Sequence, residues 1–165
     1  MAEWYESRLD ELTEADYERG LEVFRSKLKE AEASYLNSCV HCGLCANSCH
    51  YHRMDESLEN VPAHKLELMT SVFKRHFTTM GKVAPAMVGA KSFDREMAKA
   101  WLDAVFGRCS LCGRCSINCT VGIAMPRVFR AARAALGAMG LTPPELQATV
   151  DNSLKHGNNM AVTKE

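Results

Sequence analysis

Two cysteine runs with one shared spacing constrain this chain more than any other feature of its sequence. The runs are Cys39, Cys42, Cys45 and Cys49, and Cys109, Cys112, Cys115 and Cys119. In each run two residues separate the first three cysteines, three residues precede the fourth, and no cysteine lies elsewhere. This C-x2-C-x2-C-x3-C spacing is the ligand pattern of a bacterial-type [4Fe–4S] site, whose fourth cysteine binds the other cluster when two are present. The doubled pattern therefore predicts two cubane clusters that exchange their fourth ligands.

The predicted ligand sets follow from that exchange. The first cluster takes Cys39, Cys42, Cys45 and Cys119, and the second takes Cys109, Cys112, Cys115 and Cys49. Iron in such clusters prefers thiolate, and each cubane needs one thiolate per iron. Gly43 and Gly113 directly follow the second cysteine of each run. Because glycine has no Cβ, we expect both to let the backbone approach a cluster and to direct an N–H at one of its sulfurs.

Three other uses of the cysteines compete with this interpretation. Structural zinc also takes four cysteines, but its sites usually pair two C-x2-C knuckles across a longer spacer than either run contains. A disulfide framework is typical of short secreted chains, and the acidic, polar start MAEWYESRLDEL does not resemble a signal peptide. Eight cysteines at cluster spacing exceed what redox sensing by reactive thiols requires. A zinc-stapled structural adaptor is the alternative that stays open.

The composition is typical of a single-domain protein. At 165 residues the chain is one domain or one domain with tails, and 47% of its residues are hydrophobic. No apolar stretch approaches the roughly 20 residues of a membrane span, so no direct span is expected. Lys and Arg together number 20, as do Asp and Glu, which gives no reason to expect a nucleic-acid partner. Cysteines used in reduced form indicate a cytoplasmic protein.

Apolar residues at helical spacing lie on both sides of each cysteine run, and strand signals are weak. Before the first run, one long amphipathic helix is predicted from the stripe Tyr17, Leu21, Phe24, Leu28, Ala31 and Tyr35. Thr13 and Asp16 resemble a capping box at its start. A second helix is expected from Pro62, with Leu66, Met69, Phe73 and Phe77 in line. Residues 80–92 are predicted to form a packed loop, or a partner contact if they are exposed.

Three further helices are expected after that loop. Ser92 caps one whose stripe is Phe93, Met97, Trp101 and Val105. Another opens at Met125-Pro126 and stops at Gly140, and the last starts within residues 142–145 and ends at Gly157.

These helices predict an all-α protein with an α-helical ferredoxin core, built as two helix–Cys-run–helix units. The 59 residues between Cys49 and Cys109 are rich in helix signals, whereas two-cluster ferredoxins with a β-framework place their runs closer together. The predicted segments are an amphipathic helical region over 1–38, the ferredoxin domain over 39–140, and a C-terminal helix with a tail over 141–165.

The residues around the runs resemble a known family. The segments SCVHCGLCANSCHYH and GRCSLCGRCSINCTVGI, with a helical spacer between them, are similar to the α-helical ferredoxin domain of the heterodisulfide reductase C subunit. The stretches VPAHKLELMTSVFKR and VGAKSFDREMAKAWLDAVFGRC look closest to the heterodisulfide-reductase-related group. The resemblance covers about residues 35–160.

The resemblance implies an electron-relay subunit rather than a site of substrate chemistry. In that family the module connects a flavoprotein or a membrane cytochrome to a catalytic B-like subunit, which handles thiols and disulfides through CCG motifs. No CCG motif occurs here, since no cysteine follows Cys119. An alternative is that the chain is the relay part of a larger fused CCG-domain oxidoreductase.

The sequence departs from the family pattern just after each run. The family's runs usually end in Cys-Pro, whereas His50 follows Cys49 and Thr120 follows Cys119 here. Without proline at these positions, exposure and potential of the clusters are expected to differ. Arg108 and Arg114 border the second run, where they would favour the reduced, more negative state of its cluster or pair with a partner carboxylate.

Overall fold

The computed structural model describes residues 4–162. The described residues do not include 1–3, at the start of the predicted segment 1–38. They also do not include 163–165, at the end of the predicted segment 141–165. The α-helices are α1 Glu6–Asp10, α2 Glu14–Lys27, α3 Glu30–Ser38, α4 Leu44–Ser48, α5 His50–Met54, α6 Pro62–Phe77, α7 Thr79–Val83, α8 Arg95–Leu102, α9 Arg114–Ile117, α10 Met125–Ala138 and α11 Pro144–His156. Every regular element between residues 4 and 162 is helical, which confirms the predicted all-α class.

Helix α10 lies at the centre of the fold and packs on α2, α6 and α8. Its core face is rich in small residues, and Ala131, Ala132 and Ala135 are all buried. Small side chains let neighbouring helices approach closely, so each buried residue of α10 contacts the core on several sides. This central helix begins directly after the second cysteine run and therefore anchors that run to the core.

An aromatic cluster joins α2 to α8 in the core. Trp101 is fully buried, and its ring centroid lies 4.9 Å from that of Phe24 and 4.6 Å from that of Phe93. Ring pairs at such separations and tilts stabilise a core beyond the area they bury. The predicted apolar stripe of α8 is thus confirmed as core, and it continues to Val105 in the π-helical turn Asp103–Gly107 that leads to the second run.

The prediction of one long helix before the first run is wrong, because two helices occupy this region. Helix α2 starts with the predicted cap, in which the Asp16 carboxylate accepts a hydrogen bond from the Thr13 N–H at 2.9 Å. The backbone becomes extended at Leu28 and Lys29, and α3 then begins. This break lets α3 pack on α6, where the Thr70 hydroxyl donates to the Leu36 carbonyl at 3.1 Å. The apolar spacing continues across the break, which is why the sequence pattern did not reveal it.

The prediction that residues 80–92 form a packed loop is also wrong, because this segment is largely exposed. The segment forms α7 and a 3₁₀ turn at Pro85–Val88, and the Thr78 hydroxyl caps α7 by accepting from the Gly81 N–H at 3.1 Å. Its large apolar side chains are exposed: Met80, Val83 and Met87. The next helix, α8, is capped by Asp94 rather than by Ser92, since the Asp94 carboxylate accepts from the Met97 N–H at 2.9 Å.

The other predicted helix limits are confirmed. Helix α6 begins at Pro62, α10 stops before Gly140, and α11 ends at Gly157. None of the residues of α11 is buried. Between residues 4 and 162, no helix combines the length and the apolar character needed to cross a membrane.

Candidate iron–sulfur site

The two cysteine runs adopt the same backbone conformation. The residue before the second cysteine has a positive φ in both, 52° at His41 and 58° at Leu111. The residue after that cysteine is also left-handed, with φ of 79° at Gly43 and 80° at Gly113. Glycine takes this conformation without strain, whereas His41 and Leu111 hold it at a cost of about 1 kcal/mol or more each. The repeated cysteine spacing thus corresponds to two loops that have matching turns around the second cysteine.

Each loop closes with a short helix after its glycine. The Gly43 carbonyl accepts from the Ala46 N–H at 2.9 Å in α4, and the Gly113 carbonyl accepts from the Ser116 N–H at 2.9 Å in α9. The two short helices pack on each other, and the Asn118 side chain donates to the Ser48 hydroxyl between them. Cys49 follows α4 directly, Cys119 follows α9 after Asn118, and each lines the cavity of the other loop.

A first cavity lies inside the first loop. Its thiols are Cys39, Cys42, Cys45 and Cys119. Ala63, Ile123 and Met125 form apolar wall, and the Ile123 N–H donates to the Cys119 Sγ at 3.4 Å. His41 lines the same cavity with its Nε2 3.4 Å from the Glu67 carboxylate, and the Thr120 Oγ1 lies 4.0 Å from the Cys42 Sγ.

A second cavity lies inside the second loop. Its thiols are Cys109, Cys112, Cys115 and Cys49. The Leu111 N–H donates to the Cys109 Sγ at 3.4 Å, so each cavity has one backbone N–H that donates to a thiol sulfur. Arg108, Arg114 and His50, which the sequence singled out, line this cavity together with Lys65 and Tyr51.

Each cavity is lined by four thiols, the number that one cubane requires. Among residues 4–162, no three His, Cys, Asp or Glu side chains come close enough to share a single metal ion. In a cubane each thiolate binds a different iron, so its sulfurs stand farther apart than around one ion. Cavities lined by four thiols, apolar wall and N–H donors therefore fit [4Fe–4S] clusters.

The burial of the thiols differs along each run. Cys45 is buried, whereas Cys42 and Cys112 are exposed. Burial raises the pKa of the Cys45 thiol, and burial together with the neighbouring Cys109 raises the pKa of Cys115 to about 11. Cys45 also raises the pKa of Cys115, to a smaller extent. Thiols with raised pKa values are poor nucleophiles, which argues against redox sensing by these two cysteines.

Gly43 and Gly113 line the first and second cavity, respectively, as expected. The left-handed φ, and not a lack of space, favours glycine at both places. A Cβ would meet no other atom within 4 Å at Gly43 and only Pro126 at 3.9 Å at Gly113. The hydrogen bonds to thiol sulfur come instead from the N–H groups of Leu111 and Ile123.

Sequence reasoning missed two cations next to the second run. Lys65 is only 1% exposed, and its Nζ donates to the Arg108 carbonyl. The Arg133 guanidinium donates to the Val105 carbonyl at 2.6 Å and to the Cys109 carbonyl at 2.7 Å. Lys65 precedes the buried Met69 by four residues on α6, and this helical spacing was the available signal that it faces inward.

The helical fold and the two cavities lined by thiols place the chain in the class of all-α iron–sulfur proteins. The family model for the 4Fe–4S dicluster domain matches residues 35–123, so the chain belongs to that family. Among curated proteins, the Hdr-like menaquinol oxidoreductase iron-sulfur subunit of Archaeoglobus profundus is 32% identical over 144 residues, which are 86% of this chain and 26% of the relative. The Hdr-like menaquinol oxidoreductase iron-sulfur subunit 2 of Archaeoglobus fulgidus is 31% identical over 128 residues, which are 78% of this chain and 23% of the relative.

These relatives confirm the predicted resemblance to the heterodisulfide-reductase-related iron–sulfur proteins. The chain spans about a quarter of the length of the curated relatives it matches. No solved structure gives a significant match.

Proposed function

We propose that this chain is an electron-transfer subunit that carries two [4Fe–4S] clusters in an Hdr-like oxidoreductase complex. One observation carries the proposal: each cavity contains three thiols of its own run and the fourth thiol of the other run. The proposed ligands are those of the first cavity (Cys39, Cys42, Cys45, Cys119) and of the second (Cys109, Cys112, Cys115, Cys49). The dicluster name of the family model supports a count of two.

The protein's own residues would hold the clusters and limit their contact with water. A bound cubane supplies one-electron oxidation and reduction. The buried Cys45 and the apolar wall around it, including Ala63, keep solvent from the inner side of the first cavity. The exposed Cys42 and Cys112 bring one corner of each cavity to the protein surface. Electrons would therefore enter and leave at these corners and cross from one cavity to the other.

The proposed partners are redox proteins. The curated relatives are named as subunits of menaquinol oxidoreductases, which supports a quinol-linked membrane cytochrome or a flavoprotein as one partner. A CCG-domain B-like subunit that handles thiols and disulfides is the proposed second partner. The relatives are about four times longer than the matched region. The CCG-domain B-like part would therefore be either a separate subunit here or a further region of a fused chain. We infer a cytoplasmic location, with membrane contact through partners.

Chemical analysis of the anaerobically purified protein tests the cofactor proposal. We expect a brown protein with about eight iron and eight acid-labile sulfide per chain, since each of two cubanes holds four of both. After reduction with dithionite, the protein should give EPR signals from two interacting clusters. A colourless protein that contains zinc and no labile sulfide would overturn the proposal and favour the zinc-stapled adaptor.

A further inference from the structure

Lys65 is a buried charge in the wall of the second cavity. It lies on the inward face of α6, and 1% of its surface is exposed. Removing an ammonium group from water is costly unless an anion or several hydrogen bonds compensate for it. A lysine kept at such a position indicates a nearby negative charge that offsets this cost.

The protein groups in direct contact with the Lys65 ammonium are uncharged. Its Nζ donates to the Arg108 carbonyl and lies 5.5 Å from the centroid of the Tyr51 ring. No carboxylate forms an ion pair with Lys65 among the described residues. The groups in the same cavity that can carry negative charge are the thiols, above all Cys49 and Cys109, which oppose the lowering effect of burial on the Lys65 pKa.

The other cations at the second cavity are partly neutralised or solvated. The Arg108 guanidinium lies 2.6 Å from the Asp103 carboxylate and 4.0 Å from that of Asp55. Arg114 is exposed, so water screens its charge. Arg133 acts in the same direction as Lys65, but from behind the Cys109 backbone. Lys65 is therefore the main unscreened positive charge that faces into this cavity.

The first cavity has no such charge. No lysine or arginine lines it in the part of the chain that the structure describes, and the Nε2 of His41 faces the Glu67 carboxylate. Ala63, two residues before Lys65 on α6, faces the first cavity. One turn of α6 thus presents a methyl group to one cavity and an ammonium group to the other.

We propose that Lys65 raises the reduction potential of the cluster in the second cavity above that of the cluster in the first. The inference rests on the proposed function, since it requires a cluster in each cavity. Reduction adds negative charge to a cluster, so a fixed positive charge favours the reduced form. Electrons would then pass from the first cavity to the second without an opposing difference in potential.

An EPR-monitored redox titration of the holoprotein tests the proposal. Lys65→Met removes the charge and keeps most of the apolar stem, whereas Lys65→Arg keeps the charge. Lys74→Met is a matched control, because Lys74 lies on the same helix and donates to a carbonyl, that of Val88 at 3.3 Å, but lines neither cavity. Signals are assigned to a cavity by serine substitution of one cysteine in that cavity.

We expect the second cluster to be reduced first in the unmodified protein. Lys65→Met should lower its reduction equilibrium constant about tenfold, which corresponds to about 59 mV for a one-electron couple. The first cluster should change much less, and Lys65→Arg and Lys74→Met should leave both potentials near the original values. If the first cluster is reduced first, or if Lys65→Met shifts neither cluster or both equally, the proposal is overturned.

Two outcomes separate this inference from the proposed function. A protein without two [4Fe–4S] clusters would overturn the proposed function before any titration. A protein with two normal clusters, in which Lys65→Met leaves the potential of the second cluster unchanged, would overturn only the role of Lys65. Where Lys65→Met fails to hold its second cluster, the order of reduction in the unmodified protein and in Lys65→Arg still decides the question.

Discussion

The first cavity has no lysine or arginine in its wall among the described residues, whereas the second is lined by Lys65, Arg108 and Arg114. Both cavities nevertheless have the same left-handed turns and the same hydrogen bond that starts the short helix. The shared features come from the loop backbones, while the charges come from Arg108 and Arg114 at the second run and from Lys65 on α6, which packs behind it. A repeated ligand loop can therefore hold the same kind of cofactor in two places while the side chains around each copy set different electrostatic surroundings.

Serine substitution of Cys49 and Cys119, the fourth cysteines of the two runs, should give the largest effects. If either substitution had no effect, the two cavities would not bind their clusters in the same way. We expect Cys119→Ser to damage the cluster in the first cavity and Cys49→Ser to damage the one in the second, because a serine oxygen is a poor substitute for thiolate. Iron content should fall by about half in each case. EPR of each variant identifies the lost cluster, and loss within the variant's own run would contradict the exchange.

Arg133 has no counterpart at the first loop, so its substitution should affect the cavities unequally. Arg133→Lys removes the fork that joins the Val105 and Cys109 carbonyls, and we expect it to lower the free energy of unfolding by about 1–3 kcal/mol. Urea unfolding followed by absorbance near 400 nm should show earlier loss of the second cluster. Arg130→Lys, at an exposed position of the same helix, should change little.

The glycines after the second cysteines should respond alike. Alanine at Gly43 or Gly113 must adopt a left-handed conformation, which costs about 1–2 kcal/mol. Asparagine tolerates this conformation better, so Gly43→Asn and Gly113→Asn should lose less. The free energy of unfolding measures both pairs of variants. A loss at only one of the two positions would show that the loops are less alike than their backbones.

The contact between the loops should contribute a small, shared stabilisation. Removing the bond from Asn118 to Ser48 is expected to cost about 0.5–1 kcal/mol, since the pair is exposed. Asn118→Ala, Ser48→Ala and the double variant form a cycle that isolates the interaction. Both clusters should become slightly less stable together, whereas an effect on one cluster alone would argue against a bridge between the loops.

A small pH effect on stability should arise outside both cavities, at His76 on α6. The Phe93 N–H donates to the His76 Nε2 at 3.3 Å, and burial lowers the pKa of this imidazole. As the pH falls through about 6.5, the unfolded chain binds a proton before the folded one does, so stability decreases until the lowered pKa is reached. His76→Gln should reduce this decrease in urea unfolding between about pH 8 and pH 5.5. An unchanged pH dependence would assign the effect to other groups.

The sequence predicted the features that local spacing controls. The stripe Phe93, Met97, Trp101 and Val105 is buried, and α10 and α11 end where Gly140 and Gly157 take positive φ values. Cysteine spacing with Gly43 and Gly113 indicated two like loops, since few backbones bring three cysteines of that spacing around one cavity. These predictions succeeded because each depends on residues within a turn or two of one another.

The features that depend on distant packing were not predictable in this way. The break at Leu28 keeps the apolar spacing, and only the contact of α3 with α6 explains the change of direction. Met80, Val83 and Met87 are apolar yet exposed, and composition alone does not tell a buried segment from an exposed one. Lys65 reaches the second cavity across 43 residues of sequence, to the Arg108 carbonyl, so its neighbours become known only from the fold.

The position of Cys119 in the first cavity has a consequence for how the protein is made. On a ribosome the first three thiols of that cavity emerge early, but the fourth follows only after the whole helical spacer has been translated. The loop of the first run would then wait incomplete while α6 and α8 form. Metal loading of both cavities would thus wait until Cys119 has emerged, which guards against a cubane being built on the first run alone.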